Sequence, residues 1–321
     1  MATFAWVVLV VVGTGGIVWG AEAFAEHLAP AAVALRVSTF ALALLLAGAE
    51  PEELATGIAA SLRHAPAIAL GDVAGANVAM CLVALGVGAF LAPLPFGARV
   101  RRYGLAALPV GAACAVVAWG GRVSRLEGLG LVGLYVAYVA VIWALEGRPP
   151  ALGETAELDL ARQRAAAAAG RRRVGRDLVV ILAGVAAMAV GATVLVDAIR
   201  HLAHASAFQT TLSVTLVGFA TAFELVVLAW SAARRGATEA VVAAVVGSFA
   251  YNATMTLGAA ALVRPLRITS PASLHIPLVV MMAALALALG LGWRARTLGR
   301  RAGSLLLLCY PAFVVAVVIA G

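Results

Sequence analysis

Apolar residues run in blocks of about 20 along this chain, and short polar stretches separate them. Ten blocks fall near 4–28, 37–62, 66–92, 103–120, 127–145, 177–199, 207–233, 238–263, 275–293 and 303–320. A helix of about 20 residues crosses a hydrocarbon core of roughly 30 Å. In lipid every backbone N–H and C=O needs an internal partner, so each block is predicted to be a membrane-spanning helix. The first block has no charge before Glu22. Without a basic n-region it reads as a retained helix rather than a cleaved signal peptide.

One longer polar stretch, 147–176, interrupts the pattern with Pro149-Pro150, Glu154, Glu157, Asp159 and three consecutive arginines from Arg171. It leaves five blocks in 1–146 and five in 177–321. An odd number per half makes the second half enter the membrane in the opposite sense. The expected fold is therefore an all-α membrane protein, ten transmembrane helices forming two inverted five-helix repeats. The stretch between them reads as a cytoplasmic linker, with Ala165–Ala169 favouring a surface helix. Its acids match no EF-hand loop.

The halves also repeat in sequence. Glu52 and Glu224, Arg63 and Arg235, Gly75 and Gly247, Gly86 and Gly258, and Pro93 and Pro265 are each 172 residues apart. Glu, Arg and Pro are scarce in this chain, so their shared offset marks an internal duplication. An echo further back pairs Glu22 and His27 with Asp197 and His201, and both acids are expected to anchor helix ends at the interface.

Composition sharpens the membrane reading: 64% of residues are hydrophobic and 12% charged. The net charge of +8 comes with 23 basic residues, all arginine. Loops after odd-numbered blocks hold seventeen of them, and the others hold Arg63, Arg122, Arg125, Arg200, Arg264 and Arg267. That asymmetry speaks for membrane orientation and against nucleic acid. It places the arginine-rich side in the cytoplasm and both termini outside, in a bacterial inner membrane. Cys81, Cys114 and Cys309 lie within apolar blocks without CxxC spacing and read as small buried hydrophobes.

Chemistry is carried by carboxylates placed where they are costly. Glu52 falls near the middle of the second block and Glu224 just past the middle of the seventh, and intramembrane acids mark ion pathways. Pro51 should break its helix, freeing carbonyls near Ala47 and Gly48. One glutamate from each inverted repeat can neutralise one divalent cation. Ser248, Asn252 and Thr221 add neutral oxygens suited to a hard cation, and Asn77 and Asp72 stand near them. At 100° per residue Glu50 points away from Glu52 and Glu53 lies a quarter-turn off, so both rank below it, as relays or funnel-lining groups.

The pair of Glu motifs, each followed by a Gly-rich segment, resembles the cation/calcium exchanger superfamily. The resemblance rests on Ala47 to Glu52, His64-Ala65-Pro66, Gly71-Asp72 and Gly75-Ala76-Asn77 in the first half. In the second half it rests on Phe219 to Glu224 and Gly247-Ser248 through Asn252. It implies alternating access around a midplane site with Glu52 and Glu224 as central ligands and Thr221, Ser248 and Asn252 as further ones. The first half departs from the family pattern at Ala49, Ala76 and Met80, where oxygen-bearing side chains are expected, and the second has Phe223 in place of proline.

The leading expectation is a secondary antiporter exchanging Ca²⁺ or a similar cation for protons. Exchange for Na⁺ is the alternative, and a non-transporting, degenerate member is a third. The transported inorganic cation is cargo, and no cofactor is implied. An intramembrane metalloprotease is excluded by the lack of HExxH among His27, His64, His201, His204 and His275, and a Ser/Lys dyad by the lack of lysine.

Overall fold

The computed structural model describes residues 2–34, 50–146, 171–203, 206–235, 238 and 241–320. Helix α1 is Ala2–Ala34. Helix α2, Pro51–Leu62, starts at the proline, with Glu50 outside helical geometry (φ −114, ψ 84) as its N-cap. A proline at the first helical position loses no hydrogen bond, because that N–H has no intrahelical acceptor. The carbonyls of Ala47 and Gly48, and residues 37–49 of the second span, lie outside the described residues. Helix α3 comprises Pro66–Ala79, a π-helical turn Met80–Ala84, and Leu85–Leu91. Helices α4 and α5 are Ala98–Ala118 and Arg125–Glu146.

In the second half, α6 is Arg171–Leu202, beginning inside the stretch expected to be linker. Helix α7 joins Ser206–Leu212 to Gly218–Thr221 through a π turn, Ser213–Val217. Helix α8 follows as Phe223–Arg235. Helix α9 runs through Val241–Tyr251, the π turn Asn252–Thr256, and Leu257–Val263. Helices α10 and α11 are Ala272–Ala295 and Arg300–Ala320. Among the described residues nine helices are long and apolar enough to cross a membrane. The remaining span is the one that ends in α2.

The fold is that of an all-α membrane protein, ten transmembrane helices in two inverted repeats, and the duplication extends to backbone detail. The π turns of α3 and α9 begin 172 residues apart, at Met80 and Asn252. His27 and His201 each turn Nδ1 to the carbonyl four residues earlier. Four two-residue strands join the halves: β1 (Leu94–Pro95) pairs antiparallel with β4 (Thr297–Leu298), and β2 (Arg122–Val123) with β3 (Leu266–Arg267). The most buried long helices are α3 and α9. The other helices expose apolar side chains such as Val116, Leu126, Leu182 and Ile319, as lipid-facing surfaces require.

Close approach of backbones sets this packing. A Cβ on Gly258 would meet the Gly128 carbonyl oxygen at 2.7 Å, and one on Gly303 the Gly86 carbonyl oxygen at the same distance. The two contacts belong to α9 against α5 and to α3 against α11, which are equivalent pairs in the two repeats. Small residues let transmembrane helices associate in lipid, where apolar burial supplies little drive between them.

Candidate cation site

Glu52, Glu53 and Asp72 are fully buried, each at 0% exposure. Glu50 is also buried and Glu224 half-buried. They come from the start of α2, the second turn of α3 and the start of α8, with α9 beside them. Glu52 lies beside the carboxyl groups of Glu50 and Glu224. Glu53 is within electrostatic range of Glu50, Glu52, Asp72 and Glu224. The Tyr251 ring is in range of Glu50, Glu52 and Glu53.

A helix starts beside the acids in both repeats. In the first Pro51 opens it. In the second Ala222 (φ −73, ψ −5) ends α7 with no proline present, its N–H donating to the Gly218 carbonyl at 3.2 Å. Phe223 therefore starts α8 where Pro51 starts α2, and Glu52 and Glu224 both sit one residue inside a helix start.

Hydroxyl groups tie one repeat to the other. Ser248 Oγ on α9 donates to the Glu50 carboxylate. Thr221 Oγ1 at the end of α7 donates to Asp72 Oδ1 on α3 at 3.0 Å. Asn252 Nδ2 faces the Val73 carbonyl at 3.4 Å and Asn77 Oδ1 at 3.5 Å, long and weak contacts. Asn77 turns its nitrogen toward the Met281 thioether.

The expectation that Glu50 points away from Glu52 is corrected here. That expectation extended helical phase back through Pro51, but Glu50 precedes the helix, and its non-helical backbone (φ −114, ψ 84) leaves the carboxylate beside Ser248 and Glu52. Glu53, ranked with it, and Asp72 stand in the same group. Two further hydroxyls escaped the sequence reading. Thr256 follows Ser248 and Asn252 at four-residue spacing, a signal that was available, whereas nothing local singles out Ser213.

The electrostatics are unusual. Among the described residues, neither oxygen of Glu52 or Glu53 has a hydrogen-bond donor, nor do Asp72 Oδ2, Asn252 Oδ1 and the hydroxyls of Ser213 and Thr256. The ion pairs of the described residues involve Arg63, Arg99 and Arg102 with Asp197 and Glu146, and none reaches Glu52, Glu53 or Asp72. Buried carboxylates without donors or cationic partners cost several kcal/mol each unless protons or cations neutralise them. No three acidic, His or Cys side chains among the described residues close on one point. A hard cation here would therefore draw on hydroxyl, amide and carbonyl oxygens as well as carboxylates.

A ten-helix inverted repeat with acids at paired helix starts defines the class of protein: a membrane transporter for inorganic cations. The family model for the sodium/calcium exchanger protein matches residues 5–144 and 177–319, and the chain belongs to that family. It is a multi-pass membrane cation antiporter. The chain is similar to the inner membrane protein YrbG of Escherichia coli K12, 27% identical over 263 residues, covering 81% of this chain and 79% of that one. The fold is shared with the sodium-calcium exchanger NCX_Mj (TM-score 0.62, 21% identity, 98% of both chains). It is also shared with the H⁺/Ca²⁺ exchanger CAX (TM-score 0.75, 13% identity, 97% of this chain and 82% of that one).

Proposed function

We propose that the protein exchanges Ca²⁺, or a similar divalent cation, for protons by alternating access around the buried carboxylates. The observation that carries this reading is the group of donor-less oxygens on Glu52 and Glu53, lying beside Glu224 of the other repeat. The divalent cation is held by Glu52 and Glu224, with neutral oxygens from Thr221, Ser248, Asn252 and Asn77. Glu50, Glu53 and Asp72 extend the acidic lining. When the metal leaves, the carboxylates take up protons, so the site never stands as bare buried charge.

A sodium-coupled exchanger shares this fold, and so does a proton-coupled one, so the fold carries neither coupling. Side chains favour protons. Several monovalent ions need oxygen cages beside the divalent site, and the first repeat offers Ala49, Ala76 and Met80 where such oxygens would stand. Ala76 and Met80 are fully buried, so water does not replace the missing groups there. The block count and the 172-residue offset favour residues 1–146 and 177–321 as the two repeats. The arginine asymmetry favours 147–176 on the cytoplasmic side with both termini outside.

Reconstitution tests the site. Wild-type vesicles should take up ⁴⁵Ca²⁺ while releasing protons, and Glu52→Gln and Glu224→Gln should each abolish both signals with thermal unfolding unchanged. Normal uptake in both variants would place the site elsewhere.

A further inference from the structure

The six arginines that sequence places on the arginine-poor face do not disperse over it. Arg200 donates to the Arg63 carbonyl at 2.9 Å, and Arg63 pairs with Asp197 at 3.1 Å. Arg125 donates to the Val263 carbonyl at 3.2 Å, one residue before Arg264. Arg122 and Arg267 stand directly opposite one another in the β2–β3 pair. Like charges placed opposite in an antiparallel pair are destabilising. Arg264 Nη1 lies 2.8 Å from His64 Nε2. A guanidinium can only donate, so the imidazole nitrogen is the acceptor.

A cleft of about 470 Å³ opens in the midst of these groups, lined by Ser61, His64, Pro66, Arg264, Pro265 and Arg267 among others. Its volume falls within the range of small-molecule sites, roughly 300–1,000 Å³. No acid lines it. The nearby acids are already engaged: Asp197 by Arg63, and Glu127 by the backbone N–H and hydroxyl of Ser124, both at 2.7 Å. Neither Arg264 nor Arg267 has a carboxylate partner among the described residues.

Solvated arginines on a water-facing loop would account for scattered charge. They do not account for arginines paired in one strand register, set against a histidine, and placed around a concave surface. Guanidinium forks match phosphate oxygens in geometry and charge. The cleft lies at the ends of membrane-spanning helices, where lipid phosphates are found.

We propose that this cleft binds a phosphate group through Arg264 and Arg267, presented either by an anionic lipid headgroup or as a free oxyanion. The site would couple to the helices that carry the cation ligands. Ser61 Oγ at the end of α2 donates to the Ala260 and Arg264 carbonyls at 2.7 and 3.3 Å, so the cleft sits on the junction of α2 and α9. A bound phosphate braces that junction.

The test uses the full chain in two settings: neutral detergent titrated with inorganic phosphate, and phosphatidylcholine nanodiscs with or without phosphatidylglycerol. The readouts are the thermal unfolding midpoint and lipid retention in intact-complex mass spectrometry. We expect phosphatidylglycerol to be retained and to raise the midpoint by several degrees, with retention at least tenfold lower in Arg264→Gln/Arg267→Gln. Arg294→Gln removes one charge at the opposite end of α10 and should retain lipid like wild type. Stabilisation by inorganic phosphate without lipid retention assigns the site to a free oxyanion. Loss of that response in the double variant supports the proposal equally. If the double variant unfolds early in the absence of any anion, Arg267→Gln alone serves, with an intermediate loss expected. No response to either probe, or equal responses in wild type and the cleft variants, overturns the proposal.

Discussion

Replacing Gly71 by alanine tests how tightly the acidic group is held between the repeats. Gly71 precedes Asp72 on α3, and a Cβ there would lie 2.7 Å from the Ser213 Cβ and 3.1 Å from the Thr210 carbonyl oxygen. Carbon atoms in contact sit about 3.5–4.0 Å apart. Neither neighbouring atom belongs to the far end of a flexible side chain, so α3 and α7 must part by roughly 1 Å to restore contact. That displacement stretches the Thr221–Asp72 hydrogen bond from 3.0 Å to about 4 Å, past any useful geometry. Overpacking of this kind costs about 1–3 kcal/mol of stability. Loss of a buried hydrogen bond to a charged group, about 1.5–3 kcal/mol, corresponds to roughly 10- to 100-fold in cation affinity. Gly133→Ala is the matched control, because nothing lies within 4 Å of its added methyl. The assays are thermal unfolding in detergent and the concentration dependence of Ca²⁺ uptake in proteoliposomes. A Gly71→Ala protein as stable and as tightly binding as Gly133→Ala would refute the close α3–α7 contact and the role given to Asp72.

Three other outcomes follow from the same geometry. Glu50→Gln should impair Ca²⁺ uptake by at least about tenfold, because its carboxylate joins Ser248 to the site; wild-type uptake would return Glu50 to a peripheral role. Ala49→Ser combined with Ala76→Ser should make Ca²⁺ flux sensitive to Na⁺ by restoring oxygens to the first repeat, and unchanged sodium dependence would count against the oxygen-supply argument. In a cysteine-free background, Gly153→Cys should react with an impermeant thiol reagent only from the cytoplasmic side and Gly321→Cys only from outside; the reverse pattern would invert the topology.

Much of the architecture was legible because apolar blocks and charge spacing are direct consequences of the bilayer. The 172-residue offset seen in Glu52 and Glu224 recurs in the π turns at Met80 and Asn252. The turns themselves were not legible, since a single extra residue in a helical turn leaves no mark on an apolar sequence. The two-residue strands were equally hidden, because pairs so short have no periodicity. Glu50 was misplaced for a definite reason: helical phase holds only inside a helix, and Pro51 marked its start. Asn77, expected from its place in the Gly-rich segment to offer an oxygen, has its Oδ1 beside Asn252 and its nitrogen toward Met281, contacts made across 175 and 204 residues of sequence that no local pattern reveals. The second-repeat break at Ala222 has no proline beside it, so side-chain chemistry alone could not have located it.

The buried carboxylates are proposed to exchange a divalent cation for protons. The most direct measurement is initial ⁴⁵Ca²⁺ flux in proteoliposomes driven by a pH gradient with no Na⁺ present, set against flux driven by a Na⁺ gradient at equal pH on both sides. Proton-coupled exchange gives flux in the first condition, lost in Glu52→Gln and Glu224→Gln, and little in the second. Flux confined to the sodium-driven condition would contradict it.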